Sequence, residues 1–452
     1  MPRGAEKIKK SAYNFFAETM LSIGDKILST DFTKRLDQHR AYSFMAQSDL
    51  QELQLDKLAA VLDFASSKSP YYKNLKISSD SDPEAWLKRF PVLTKPILRK
   101  HSDALLTRPK NELLLYSTSG SSGIQTEVYV DKKEQANFRA ILINWWEWTG
   151  FYLGKQLLQT GMTPQRGVIK KAKDVLTRTT YLNAFGLPED EVLPYLRRME
   201  GREACHLGGY ASSLYVLAKI AKKHDLDVRF DAAIAWGDHM FDHYQTEIQT
   251  VFKTKVFENY GMNEGFMVGQ KKDLDSFYLY TPNVYLEILD DNWQSVPDGE
   301  MGKVVLTKLD GFAMPLIRYY TGDLAIKLPL TEYPPERSLA FPLLKKVVGR
   351  DTDLVRTSSG KTLIVHFFTG IFEFYPEIRQ FRVIQNELGS IEIEYIPTFE
   401  FSPETLDKIR KDMGKYLADE ELLVSFRSVD SIPATKSGKP QIIQSNLDRE
   451  TG

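Results

Sequence analysis

The segment Ser117-Thr118-Ser119-Gly120-Ser121-Ser122-Gly123 places five hydroxyls and two glycines in seven residues, directly after the apolar run Leu113–Tyr116. Such a composition does not build a core. Glycines let the backbone turn and come close to a ligand, while amides and hydroxyls can donate to phosphate oxygens. It is not a Walker loop, because no Gly-Lys-Ser/Thr ends it. Taken alone, it describes a plain surface loop equally well.

Four more segments carry residue types suited to nucleotide chemistry. Glu258-Asn259-Tyr260-Gly261-Met262-Asn263-Glu264 ends the strand-like run TKVFEN. Carboxylates at the carboxyl end of a parallel strand lie where α/β folds bind ligands. A hard carboxylate there suits Mg²⁺ held against phosphate oxygens, and Tyr260 offers a flat face for a purine; the bland alternative is an acid at a helix start. In Arg318-Tyr319-Tyr320-Thr321-Gly322-Asp323, an acid after a glycine turn can accept both hydrogen bonds of a ribose diol, or simply end a strand. Gly349-Arg350-Asp351-Thr352-Asp353 reads by itself as a charged turn. Thr435-Lys436-Ser437-Gly438-Lys439-Pro440 presents a loop lysine, either a solvated point charge or a neutraliser of charge between a carboxylate and an α-phosphate. Five independent coincidences do not easily account for their order and spacing.

The elements that position these segments alternate. Apolar runs at KQLLQTG, EACHLGG, FDAAIAW and TKVFENYG are separated by helical stretches such as QANFRAILINWWEWTG, EVLPYLRRMEG, SSLYVLAKIAKKH and HYQTEIQTVF. That alternation predicts an α/β sheet, largely parallel and covered on both faces. After Phe277 the runs VYLEILDD and GKVVLTKL, joined through PDGE, predict antiparallel β. The last ~100 residues fit a small α+β domain, with the boundary near Gly349. Residues 1–60 read as helical, and the chain shows no internal repeat. Over 452 residues, 59 basic and 60 acidic side chains leave a formal charge of −1, so no electrostatic footprint for nucleic acid exists. One cysteine, Cys205, excludes an intramolecular disulfide and a cysteine zinc cluster, and its apolar neighbours make it a buried filler. The amino-terminal stretch lacks a signal-like apolar region, and no apolar run approaches the roughly 18 residues of a membrane span. A soluble, cytoplasmic setting is the expectation.

Together these motifs resemble the adenylate-forming superfamily of acyl-CoA synthetases, peptide-synthetase adenylation domains and luciferases, over essentially the whole chain. SPYYKNL…FPVLTKPILRK and DGEMGKVVLTKLDGFAMPLIRYYTGD are similar to the compact phenylacetate–CoA ligase branch. The resemblance implies a large amino-terminal ATP- and acid-binding domain with mixed sheets, residues 1–349. It also implies a small mobile α+β lid, residues 350–452, carrying the catalytic lysine. It implies ATP, Mg²⁺ and coenzyme A as ligands, a small carboxylic acid as substrate, and a homodimer. By the same resemblance Thr118, Ser119, Gly120, Ser121, Ser122 and Gly123 grip the phosphates. Glu264 holds Mg²⁺, Tyr260 lies against adenine with Asp238 close by, Asp323 holds the ribose with Arg350 nearby, and Lys439 bridges carboxylate and α-phosphate. Tyr210, Trp236 and Gly261 are the candidates for the acid pocket. The chain departs from the family where Asn263 replaces a hydroxyl residue, Asp238 a glutamate and Thr352 the hinge carboxylate. The segment Ile364–Gln385 looks more like relatives found among capsule and surface-polymer gene products, which makes the acceptor either coenzyme A or an amine, hydroxyl or carrier protein. The basic run Lys170-Lys171-Ala172-Lys173 either meets an anionic tail of that acceptor or forms a solvated face. A non-catalytic nucleotide-binding protein is the third reading, opposed by the presence of Glu264, Asp323 and Lys439.

Overall fold

Short β-rich runs between amphipathic stretches fold as the periodicity requires: the strands bury both faces and the helices bury one. A computed structural model describes residues 12–28, 30–118, 126–161, 174–175, 177–183, 189–202, 204–350, 354–358, 362–372, 374–375, 377–417, 422–433 and 442–447. Ser119 to Gly123, the run 170–173, Thr352 and Lys439 lie outside the described residues, as do the side chains of Thr118 and Arg350.

Strands β1 (Leu114–Thr118) and β2 (Thr126–Val130) form an antiparallel hairpin in which Thr118 pairs with Thr126. The hairpin thus brings together the two strands that flank residues 119–125. Strands β3 (Leu157–Gly161), β4 (Thr179–Asn183), β5 (Cys205–Tyr210), β6 (Phe230–Trp236) and β7 (Val256–Met262) are parallel, in the order β7-β6-β5-β3-β4. On one face Leu207, Ala233 and Ala235 meet Leu196, Leu214, Leu217, Ile248 and Phe252. Those partners come from helices Glu189–Met199, Ala211–Lys223 and Asp242–Phe252. On the other, Ile234 and Trp236 meet Trp146 of helix Lys132–Glu147. Cys205 is buried, and burial pushes its thiol up to about 12.

From β7 the sheet continues antiparallel through β8 (Phe266–Gln270), β9 (Phe277–Leu279), β13 (Leu343–Arg350), β12 (Tyr319–Lys327), β11 (Met301–Lys308) and β10 (Val284–Leu289). The result among the described residues is a single eleven-stranded mixed sheet. Leu58, Val61, Leu62 and Ala65 of helix Gln47–Lys68 close the core over Val284, Val304 and Leu306. The chain then forms a hairpin of β14 (Leu354–Arg356) and β15 (Thr362–Ile364). A second sheet follows, ordered β18 (Leu423–Ser428), β17 (Ser390–Pro397), β16 (Ile378–Glu387), β19 (Ile443–Ser445). Its core, including Val355, Phe368, Val383, Ile393, Ile409 and Met413, is drawn from residues 355–443 alone. Gly349 and Arg350 belong to β13, and Arg350 pairs with Asp323, so the large sheet runs through residue 350.

Buried polar groups bind the amino-terminal helices to this frame. His39, in helix Phe32–Tyr42, donates from Nε2 to Asn137 Oδ1 at 2.9 Å and accepts from the Tyr280 hydroxyl at Nδ1, 2.7 Å away. Asn137 donates in turn to Asp310 at 2.5 Å. Burial lowers His39 from 6.5 to about 4, so the folded protein holds it neutral. Between pH 6.5 and 4 the unfolded chain therefore binds a proton that the folded chain refuses, and stability falls as pH drops through that window. At full extent the loss is about 3 kcal/mol. Urea unfolding from pH 7 to 4 is expected to show this slope, flattened in His39→Gln, with a remainder from His206, which burial lowers similarly; an unchanged slope in the variant contradicts the assignment.

Candidate functional site

The parallel strands end on the same edge, and register decides which side chains share a face there. Tyr210 pairs with Trp236, Ala235 with Glu258, and Asn259 with Gln270. Alternation therefore puts Tyr210, Trp236, Asn259 and Gly261 on the face that meets helix Lys132–Glu147. The Trp236 ring stacks on Trp146 with centroids 5.8 Å apart and planes 17° off parallel. A side chain at Gly208 would come within 2.8 Å of the Trp236 ring, so only glycine admits the indole. The three residues expected to form an acid pocket thus stand together on one aromatic wall.

The other face of β7 looks toward the antiparallel half. Tyr260 donates its hydroxyl to Asp323 Oδ2 at 2.8 Å, joining two motifs whose strands are not neighbours in the sheet. Thr321 fixes the turn: its Oγ1 accepts from the Asp323 amide at 3.0 Å and donates to the Val304 carbonyl at 3.2 Å. Arg350 lies opposite Asp323 in the β12–β13 register. Glu264 is buried, and its Oε1 accepts the Tyr319 hydroxyl at 3.0 Å. Tyr319 is itself stacked on Phe266. Asn263, Glu264 and Gly265 form the turn between β7 and β8.

Arg318 sets the start of β12, a role the sequence did not disclose. It adopts φ 49°, a left-handed conformation that costs a non-glycine residue energy. Its buried guanidinium repays this by pairing with Glu287 at 3.0 Å and donating to the Phe90 carbonyl at 3.0 Å. Glu134 and Lys308 were also missed. Lys308 Nζ lies 3.8 Å from Glu134 Oε2, and both line a cleft with Tyr116 of β1, Asn263 and Gly265. Glu134 accepts the amides of Phe312 and Ala313, each at 2.7 Å. Burial raises its carboxyl to about 7. The pair ties helix Lys132–Glu147 to Lys308 and the Phe312–Ala313 segment; no local motif marks either residue.

Asp238, expected close to the purine, binds the start of a helix. Its carboxylate accepts the amides of Ala211 at 2.6 Å and Ser212 at 3.1 Å, and the Ser212 hydroxyl at 2.5 Å. It caps helix Ala211–Lys223 across 27 residues of sequence, a charge-to-dipole contact of the most favourable sign. As to metals, the described residues hold no group of three His, Cys, Asp or Glu that could cage an ion. A single buried carboxylate is what Mg²⁺ needs when substrate phosphates supply its other ligands, and Glu264 fits that requirement.

Residues 355–446 match the family model described as the CapK C-terminal domain. The chain is 21% identical over 450 residues to Protein CapK of Staphylococcus aureus, covering 96% of this chain and 97% of that protein. It is 22% identical over 299 residues to a phenylacetate-coenzyme A ligase of Thermus thermophilus, covering 62% and 66%. Among solved structures, 2-hydroxyisobutyryl-CoA ligase in the postadenylation state, in complex with R3-HIB-AMP, matches with a TM-score of 0.69 at 19% identity, over 91% of this chain and 92% of that one. ATP-bound MatB from Rhodopseudomonas palustris matches at 0.53 and 15% identity, over 74% and 68%.

The capping geometry of Asp238 makes a stability prediction. Asp238→Ala leaves the helix amides unsatisfied and should lower the unfolding free energy by about 1–2 kcal/mol in urea titrations, with Asp238→Asn losing less. Equal stability of wild type and the alanine variant would contradict the capping role.

Proposed function

We propose that this chain, a relative of CapK and the phenylacetate-CoA ligases with the fold of adenylate-forming enzymes, activates a carboxylic acid with ATP and passes the acyl group to coenzyme A. The observation that carries the proposal is the Tyr260–Asp323 bond with Glu264 one turn away. It gathers a flat ring, a diol acceptor and a hard carboxylate at one strand edge.

In the proposed reaction a carboxylate oxygen of the acid attacks the α-phosphorus of ATP. The bond to the pyrophosphate bridge breaks, giving acyl-AMP and pyrophosphate. The thiol of coenzyme A then attacks the acyl carbon, loses its proton, and AMP leaves with the electron pair of the broken C–O bond. Asp323 accepts the ribose hydroxyls, held at its angle by Tyr260 and Thr321. Thr118, Ser119, Gly120, Ser121, Ser122 and Gly123 donate to the β- and γ-phosphates, and the Asn263 amide takes the place of a hydroxyl beside them. Glu264 holds Mg²⁺, whose bound charge offsets that of the phosphates. Lys439 and Arg350 neutralise the charge that builds between carboxylate and α-phosphate. Tyr210 and Trp236 wall the acid beside Gly261. Asp238 serves by fixing the helix that follows Tyr210.

The large unit binds ATP and acid, and the small unit works as a mobile lid that swings after residue 350 and brings Lys439 over the nucleotide. A homodimer working in the cytoplasm, where ATP and coenzyme A are at hand, completes the reading. The likeness to CapK, which is not named for coenzyme A, leaves room for one second reading, in which the same adenylate is passed to an amine, hydroxyl or carrier protein. Pyrophosphate release with ATP and Mg²⁺, measured over a panel of aryl and aliphatic acids with and without coenzyme A, separates the two. Turnover that needs an acid, rises with coenzyme A and falls at least about 100-fold in Lys439→Ala is the expected result. Release indifferent to coenzyme A selects the second reading. ATP binding with no acid-dependent release from any acid contradicts both.

A further inference from the structure

Asn259 carries a side chain whose two amide atoms, Oδ1 and Nδ2, are both shut off from solvent and without a hydrogen-bond partner among the described residues. A buried amide left in that state costs on the order of 1–3 kcal/mol per group, and buried polar groups in native proteins almost always find partners. The cost is sited where a ligand would relieve it. Asn259 lies on the face of β7 that carries Gly261, beside the Trp236–Trp146 stack and opposite Gln270 in register. Gln270 is fully buried, donates from Nε2 to the Trp145 carbonyl at 2.5 Å, and leaves Oε1 unmatched. The indole N–H of Trp146 is likewise unmatched. The wall therefore combines planar apolar surface with unsatisfied donors and acceptors, all of them neutral.

Charge narrows the class. Along the described ends of β5 to β8 this face presents Tyr210, Trp236, Asn259, Gly261 and Gln270, all of them neutral. The nearest acid in sequence, Glu258, points to the opposite face and pairs with Lys271. None of these described residues is a cation that would meet a second carboxylate on the substrate, and the anion beside Tyr210, Asp238, already holds the Ala211 and Ser212 amides and the Ser212 hydroxyl. Plain hydrocarbon would leave the Asn259 amide as it stands.

We propose that Asn259 is a specificity-determining residue, and that the acid this protein activates bears a neutral group with both donor and acceptor character, a hydroxyl or carboxamide, which pairs with the Asn259 amide. The inference rests on the acid-activating reading above and refines its substrate. Sites built to pair a substrate polar group reject analogues lacking it far more strongly than apolar pockets discriminate by size.

Matched acids test it: hydroxyphenylacetates against phenylacetate, hydroxybenzoates against benzoate, and succinamate against its isopropyl isostere, each read as kcat/KM for pyrophosphate release. Wild type should favour the polar member of at least one pair by about 100-fold or more. Asn259→Leu should abolish that preference, lowering kcat/KM for the polar acid about 100-fold while the plain acid and the KM for ATP change less than about threefold. Its Tm should match or exceed wild type, because an unmatched amide has gone. Asn259→Ser, which keeps one hydroxyl, should fall between them and decides the matter if the leucine variant does not fold. Turnover that favours the plain acids, or equal losses for both members in the variants, overturns the inference and leaves the acid-activating reading standing. If no pair turns over, acid binding in the presence of ATP, followed by thermal shift, takes the place of kcat/KM. Polar-selective binding lost in Asn259→Leu supports the inference, and unselective or absent binding overturns it. A protein that binds neither ATP nor any acid fails at the earlier step, the acid-activating reading itself.

Discussion

The hydrogen bond from Tyr260 to Asp323 spans strands that do not touch in the sheet order, so it exists only if everything between them is correctly laid down. β7 must leave the parallel half at the right height, β8 must reverse direction through the Asn263–Gly265 turn, and β12 must start at the right residue. The last condition is met by Arg318, which accepts a left-handed backbone because Glu287 and the Phe90 carbonyl hold its guanidinium. Losing one partner of such a buried pair typically costs several kcal/mol. The same anchor aims Tyr319 at Glu264. A single buried ion pair thus sets both the strand that carries Asp323 and the hydroxyl that meets Glu264.

The two faces of the strand edge divide the work by polarity. One gathers Tyr260, Asp323 and Glu264, a phenol and two carboxylates. The other gathers Trp146, Trp236 and Tyr210, which offer planar apolar area. Burial and neighbouring Asp238 push the Tyr210 phenol up to about 12, so it stays a neutral donor at the mouth of that wall. Strand alternation makes the division automatic, since successive residues of β7 point to opposite sides. Asn259 and Tyr260 are adjacent in sequence and serve opposite faces.

What was legible in the sequence followed from residue type and run length. FDAAIAW reads as a buried strand and spans β6 whole, and the antiparallel turn at PDGE and the separate carboxy-terminal sheet were visible as changes of pattern. The short strands β2 and β4 were missed: TEVYV and TTYLN are five residues each, with too many polar positions to stand out. Within the site, Tyr260, Glu264 and Asp323 announce themselves through glycine turns and acids at strand ends. Asp238 does not reveal its cap, because the amides it receives belong to a helix that precedes it by 27 residues. Lys308 and Glu134 meet from distant segments, and Asn259 is an unremarkable strand residue until register shows which face it takes. These are contacts of tertiary structure, and no local pattern encodes them.

The central claim is that the acid's own oxygen attacks the α-phosphorus of ATP. The most direct measurement is to supply acid labelled with ¹⁸O in its carboxylate, together with ATP, Mg²⁺ and coenzyme A, and to read the nucleotide products by mass spectrometry. The account predicts AMP carrying one ¹⁸O atom and pyrophosphate carrying none. Label in inorganic phosphate with ADP as the product, or unlabelled AMP, would contradict it.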